Sequence, residues 1–106
     1  MESMCTFLNL KDKLCTNGFS NTSIKSYTNI QNETEIQLKF GYTLKIISTD
    51  YSTLNFKIYN SFFSGNFSLN ANSCMLYSLP CEGGCYLLDI CYEKACTKNI
   101  CCESGG

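Results

Sequence analysis

The sequence predicts an all-β fold, a jelly-roll β-sandwich of about seven or eight short strands. Apolar and polar residues alternate through the middle of the chain, which is the pattern of strands with one buried face. Asn, Ser, Thr, Tyr and Ile are abundant and proline occurs once, a composition that favours strands and turns. No segment has the apolar spacing of a strong amphipathic helix.

The clearest alternation predicts three central strands. The first covers 35–40 and ends in a turn or bulge at Gly41, the second covers 42–46, and the third covers 54–58 after the turn Ser48–Ser52. The residues expected to face inward are Ile36, Leu38, Phe40, Tyr42, Leu44, Ile46, Leu54, Phe56 and Ile58.

Further strands are expected on both sides of this centre. Ser73–Leu79 is predicted to end at Pro80 and the turn Cys81–Gly84, and Cys85–Tyr92 is the last clear strand. Its inward residues are expected to be Tyr86, Leu88, Ile90 and Tyr92. A short strand is expected at Asn66–Leu69, and weaker candidates are the segments 12–15 and 23–30. Residues 1–11 show no convincing period, so we interpret them as an N-terminal connector, 12–93 as the sandwich and 94–106 as a cysteine-rich tail.

Nine cysteines in a short chain indicate a disulfide framework or a metal cluster. Paired C-x-x-C motifs, which direct two thiolates at one zinc ion, do not occur, so disulfides are favoured over a thiolate zinc site. Cys74 lies in a predicted strand and is expected to be a buried free thiol. The other late cysteines are disulfide candidates: Cys81, Cys85, Cys91, Cys96, Cys101 and Cys102.

Composition argues against catalysis, against nucleic-acid binding and against a membrane span. The chain has no histidine, which removes the usual serine-triad, cysteine–histidine and histidine–zinc mechanisms. Asp50, Glu82 and Asp89 are interpreted as solvated charges, and no glycine-rich phosphate loop opens a helix. The net charge of -1 indicates no nucleic-acid surface, and no run approaches the ~20 apolar residues of a membrane span. We therefore expect a non-enzymatic protein without a cofactor, and with neither nucleic acid nor membrane as a partner.

The N-terminus and the cysteines indicate different compartments. Residues 1–12 contain Glu2 and no apolar run of signal-peptide length, whereas disulfides persist in oxidising surroundings. Three situations reconcile these observations: the thiols hold metal in the cytosol, a signal peptide has been removed, or oxidation follows lysis of the producing cell.

Three segments resemble the pilin subunits of bacterial endospore appendages, which are small jelly-roll proteins with a flexible, cysteine-bearing N-terminal connector. They are Asp12–Cys15, which follows Cys5, the central run Gly41–Leu69, and Gly84–Tyr92 with the sequence GCYLLDICY. Together they cover approximately residues 5–92.

The resemblance implies a structural role. In that family the connector of one subunit docks on subunits farther along the fibre and is locked there by intermolecular disulfides. Transferred by position, Cys5 is the connector cysteine, and Cys15 and Cys85 are the acceptors. The resemblance also implies a homopolymer on the extracellular spore surface, made without a signal peptide, which removes the conflict over compartment. A secreted disulfide-rich monomeric binding module or toxin, and a thiolate zinc protein, are the alternatives.

Overall fold

The described part of the chain contains eight β-strands and one short 3₁₀ turn, Lys39–Gly41, in a computed structural model. The structure describes residues 5–14, 23–28, 30–50, 52–81 and 84–95. The strands are β1 Cys5–Leu14, β2 Ser23–Thr28, β3 Glu35–Gln37, β4 Thr43–Thr49, β5 Thr53–Tyr59, β6 Ser64–Asn70, β7 Ser73–Cys81 and β8 Gly84–Ala95. The all-β prediction is confirmed.

The strands form two antiparallel four-stranded sheets. The order is β2-β1-β8-β7 in sheet A and β3-β4-β5-β6 in sheet B. Hydrogen-bonded neighbours follow one another in sequence, except for β1 and β8, which pair along the whole of β1. A jelly roll is built from two Greek keys, and in each of them a fourth strand returns by a long connection to lie beside the first of three consecutive strands. The expected jelly-roll connectivity is not confirmed by this strand order.

One apolar cluster fills the space between the sheets, and both sheets contribute to it. The inward positions predicted for the second and third central strands and for Cys85–Tyr92 are all buried, as is Ile36. Burying each such side chain contributes about 1.5–3 kcal/mol. The buried apolar residues are Leu8, Leu10, Ile30, Ile36, Tyr42, Leu44, Ile46, Leu54, Phe56, Ile58, Leu69, Leu79, Tyr86, Leu88, Ile90 and Tyr92.

The expected N-terminal connector is wrong from Cys5 onward. The ten residues of β1 lie between β2 and β8, from the pair Cys5↔Ala95 to the pair Leu14↔Tyr86. Thr6, Leu8 and Leu10 face the core and are buried. The alternation of apolar and polar residues in β1 is not evident in the sequence, because a polar residue, Thr6, faces inward and an apolar residue, Phe7, lies on the opposite face. Residues 5–11 therefore belong to the sandwich, and β8 continues past residue 93, the predicted end of the sandwich, to Ala95.

The first central strand is shorter than predicted. β3 ends at Gln37, and Phe40 and Gly41 both have positive φ angles, 57° and 75°. Two successive residues in this region turn the chain sharply, and the backbone bond from Leu38 N to Tyr42 O closes the turn. The turn expected at Gly41 is confirmed, but Phe40 does not face the core, and its side chain is 44% exposed.

Pro80 does not end β7 as predicted. β7 is an edge strand, where a residue without an N–H is tolerated, and it continues to Cys81, which pairs with Gly84. β7 and β8 are thus paired as far as Cys81 and Gly84, and the reversal of the chain expected between these two residues is confirmed.

Candidate assembly surfaces

The antiparallel strands give the sandwich two ends with different compositions. The end formed by the 3₁₀ turn, the loop 60–63 and the β7–β8 hairpin is called the aromatic end. The opposite end is called the terminal end, because β1 begins there at Cys5 and β8 ends there at Ala95. Both termini of the described chain therefore leave the sandwich on the same side, away from the aromatic end.

Aromatic rings are concentrated at the aromatic end. The ring of Phe40 lies 5.2 Å from that of Tyr86, and Tyr42 lies 6.0 Å from Phe63 and 6.4 Å from Phe62. Phe62 is 65% exposed, the highest value among the large apolar side chains of the described residues. The N–H groups of Phe62 and Phe63 donate to the Asn60 side-chain oxygen, which fixes the loop. This end thus presents two aromatic side chains, Phe40 and Phe62, to solvent on a rigid base.

A buried polar contact lies beneath this aromatic patch. The Tyr86 hydroxyl donates to Asp12 Oδ2 and accepts from the Lys39 backbone N–H at 3.3 Å. Lys39 Nζ lies 3.7 Å from Asp12 Oδ1. Burial, together with the hydrogen bond to Asp12, raises the pKa of Tyr86 above its ordinary value. The contact joins β1, β8 and the 3₁₀ turn, so it positions the aromatic end relative to sheet A.

Acidic groups are prominent at the terminal end. The Asp50 carboxylate accepts from the N–H groups of Ser52 and Thr53 at 2.7 and 2.8 Å, and these bonds lower the pKa of Asp50. Glu93 is exposed two residues before the end of β8, and the adjacent Lys94 N–H donates to Asn72. The Tyr92 hydroxyl donates to the Asp50 carbonyl and thereby ties this turn to the core.

Cys74 and Cys91 form a disulfide between β7 and β8. The two residues are direct partners in the strand register, and they lie on the outer face of sheet A, opposite the face that carries Leu79 and Leu88. The prediction that Cys74 is a buried thiol is therefore wrong, because Cys74 is exposed and bonded. Cys91 as a disulfide candidate is confirmed. Counting outward from the two-residue hairpin would have found this pair in the sequence.

Cys81 and Cys85 lie close together at the aromatic end, on either side of the hairpin. Cys81 is a free thiol whose side chain packs partly against the core, so the expected disulfide is absent at this position. Cys85 is disulfide-bonded within the single chain. An intermolecular bond at Cys85 therefore requires thiol–disulfide exchange.

The remaining predicted cysteines fall outside the described side chains. The backbone of Cys5 begins β1, and Cys96 directly follows Ala95 in the sequence. Cys15, Cys96, Cys101 and Cys102 lie outside the described residues.

Each sheet has two edge strands, β2 and β7 in sheet A and β3 and β6 in sheet B. An edge strand has backbone N–H and C=O groups that pair with no neighbour, and these groups can hydrogen-bond to a strand of another chain. β6 is seven residues long and has a regular register with β5, from Thr53↔Asn70 to Tyr59↔Ser64. It offers a seven-residue edge without a register shift for such pairing.

Other types of site are not found in the described ranges. No group of three or more His, Cys, Asp or Glu side chains there is arranged to hold a metal ion. No helix in this part of the chain is long and apolar enough to cross a membrane. A groove of about 180 Å³ between β2 and the segment 37–39 is lined by Leu10, Tyr27 and Leu38 together with Asp12, Lys25 and Lys39.

Comparisons with known proteins give no match: no family model, no curated protein and no solved structure is similar enough to this chain to support an assignment. A function is therefore inferred from the geometry and from the residues themselves.

Proposed function

We propose that this chain is a structural, non-enzymatic subunit that self-assembles into disulfide-crosslinked fibres, pilus-like appendages on the extracellular surface of bacterial spores. The observation that supports this proposal best is the distribution of cysteines along the sandwich. Cys81 and Cys85 lie at the aromatic end, whereas Cys5 begins β1 at the terminal end and Cys96 follows β8 there in the sequence. A head-to-tail row of subunits brings these two groups of cysteines together.

We assign the cysteines that supply the attacking thiolate of the intermolecular disulfide to the residues after Ala95. Cys5 begins a central strand and is paired along the backbone with Ala95, so it lacks the freedom of a connector cysteine. Cys96, Cys101 and Cys102 follow the last described residue and become the donors in our proposal. A donor thiolate attacks the disulfide at Cys85, forms the intermolecular bond and releases the former partner of Cys85 as a thiol. The exchange conserves electrons and needs no external oxidant.

Edge strands supply a second, lateral means of association. Pairing β6 of one subunit with an edge of another would extend sheet B through main-chain hydrogen bonds, as in β-strand addition. A fibre uses open edges that a monomeric protein must protect. The proposed partner is thus the chain itself, and neither nucleic acid nor a membrane is required.

A second candidate function is a secreted monomeric binding module. The Cys74–Cys91 disulfide favours it, because a bond within one chain stabilises a small domain without joining it to another.

Non-reducing electrophoresis of the boiled, purified chain distinguishes the two functions. The fibre predicts a ladder or material retained in the well that collapses to monomer after reduction, and regular filaments by electron microscopy. A single monomer band, with no filaments, contradicts the fibre and supports the monomeric module.

Two sets of variants locate the donor cysteine. Changing Cys96, Cys101 and Cys102 to serine together should abolish the ladder, whereas Cys5→Ser should preserve it. If the triple serine variant keeps the ladder and Cys5→Ser loses it, Cys5 is the connector cysteine and our assignment of the donors is wrong.

A further inference from the structure

We propose that the aromatic end binds the terminal end of a second copy of this chain, and that this noncovalent contact gives the fibre its polarity. The inference rests on the proposed fibre and adds the surfaces that meet. It concerns binding before any intermolecular disulfide forms, so it is testable with the free thiols blocked.

The apolar part of the contact comes from Phe40 and Phe62. They are 44% and 65% exposed, although each packs one side of its ring near a buried tyrosine, Phe40 against Tyr86 and Phe62 against Tyr42. Aromatic residues on a rigid base lose little conformational freedom when a partner covers them, and they are enriched at protein interfaces. The two rings are therefore ready for contact without rearrangement.

The ends of the sandwich differ in charge. Near the aromatic end the described residues include four lysines, Lys11, Lys13, Lys25 and Lys39, against Asp12 and Asp89, and Glu82, between Cys81 and Gly84 in the sequence, reduces the excess of positive charge to one. At the terminal end Asp50 and Glu93 exceed Lys94 among the described residues. A basic aromatic end therefore attracts the acidic terminal end of another copy.

The same charges oppose the symmetric arrangement. Two aromatic ends would bring lysines against lysines, and like charges facing each other across an interface disfavour association. Contact between unlike ends is heterologous, and such contacts continue into open filaments unless a rotation closes a ring. The geometry thus favours a polar row of subunits with every chain oriented in the same direction.

Sedimentation velocity of the iodoacetamide-treated chain measures this contact directly. Iodoacetamide is added to isolated monomer, where it alkylates the free thiols; no donor thiolate then remains to exchange with the disulfide at Cys85, so intermolecular crosslinks cannot form. We expect reversible association that weakens as salt is added, because exposed charges are screened within about 8 Å at physiological ionic strength. A treated chain that stays monomeric at all concentrations, while the untreated chain still forms fibres, overturns the inference and leaves the proposed function standing.

Charge reversal gives the sharpest test. Lys13→Glu and Glu93→Lys should each weaken association by about tenfold, since each makes the two ends alike in charge. The double variant exchanges the charges of the two ends and should recover most of the wild-type affinity. Lys57→Glu, on the outer face of sheet B, is the matched control and should change affinity little.

A matched pair of serine variants tests the contribution of the aromatic side chains to association. Phe62→Ser should weaken association, whereas Leu76→Ser should not, although Leu76 is similarly exposed at 61% on the outer face of sheet A. Equal effects of the two serine variants, or a double charge variant as weak as either single one, overturn the inference. Absence of any ladder or filament from the untreated chain instead refutes the proposed function.

Discussion

The Tyr86→Phe substitution tests how the aromatic end is attached to the sandwich. The Tyr86 ring is fully buried, its hydroxyl donates to the Asp12 carboxylate, and the two residues are 74 positions apart in the sequence. The other Asp12 oxygen, Oδ1, is buried and accepts no hydrogen bond among the described residues. Phenylalanine keeps the ring and its packing, so the substitution removes the hydrogen bonds of the hydroxyl without opening a large cavity.

The expected loss is about 2 kcal/mol of unfolding free energy at pH 7, because a hydrogen bond to a charged group contributes roughly 1.5–3 kcal/mol. The Lys39 N–H also loses an acceptor, which adds to the cost. Urea denaturation followed by far-ultraviolet circular dichroism measures the change, since the chain has no tryptophan to report unfolding by fluorescence.

Tyr59→Phe is the matched control. Tyr59 lies on the outer face of sheet B beside Lys57 and is only half-buried, so its variant should change the unfolding free energy by less than about 0.5 kcal/mol. Equal destabilisation by the two variants would refute the structural role of the Tyr86–Asp12 contact.

The alkaline stability of the protein provides a second measurement on the same variant. The pKa of Tyr86 is raised above its ordinary value of 10.0, first by burial and then by Asp12. The unfolded chain therefore loses this proton at a lower pH than the folded chain. The stability that Tyr86 contributes is complete below about pH 10 and is lost as the pH rises toward the folded pKa. Tyr86→Phe should make stability fall less steeply above pH 10, and an unchanged slope would contradict the assignment.

Three further predictions concern packing and disulfides. Phe56→Ala should cost about 3–5 kcal/mol by urea denaturation, because Phe56 is buried against Phe67 and Tyr77; a cost near that of an exposed residue would contradict this packing. Replacing Cys74 and Cys91 together with alanine should cost about 3 kcal/mol, since their bond closes a loop of 17 residues, and an unchanged urea midpoint would argue that the bond is not formed. In the denatured, unreduced monomer, iodoacetamide should modify Cys81 and leave Cys74, Cys85 and Cys91 unmodified, which tandem mass spectrometry of proteolytic fragments would show.

Local alternation was sufficient to predict the central strands. From Tyr42 to Ile58, each predicted inward position is apolar and faces the common core, so the period of two determined both the strands and their faces. β1 was missed because its period is concealed by Thr6 and Phe7. Its position depends on pairing with β8, whose residues lie more than 70 positions later, and a local pattern holds no information about such pairing.

The candidate surfaces were predictable only in part. The positions of the cysteines are evident in the sequence, but whether a cysteine faces a partner depends on register. Alternation within one strand does not give that register, whereas counting back from the turn between Cys81 and Gly84 places Cys74 opposite Cys91. The exposure of Phe40 results from two successive positive φ angles, a conformation that few non-glycine residues adopt and that alternation does not indicate. The difference in charge between the ends emerges only when the strand pairings place distant lysines together.

Electron microscopy of the purified, oxidised chain, examined before and after treatment with a reductant, tests the central claim most directly. The fibre account predicts filaments with a regular axial repeat that survive boiling and separate into monomers once disulfides are reduced. A dispersion of single particles, together with a lone monomer band on a non-reducing gel, would contradict it.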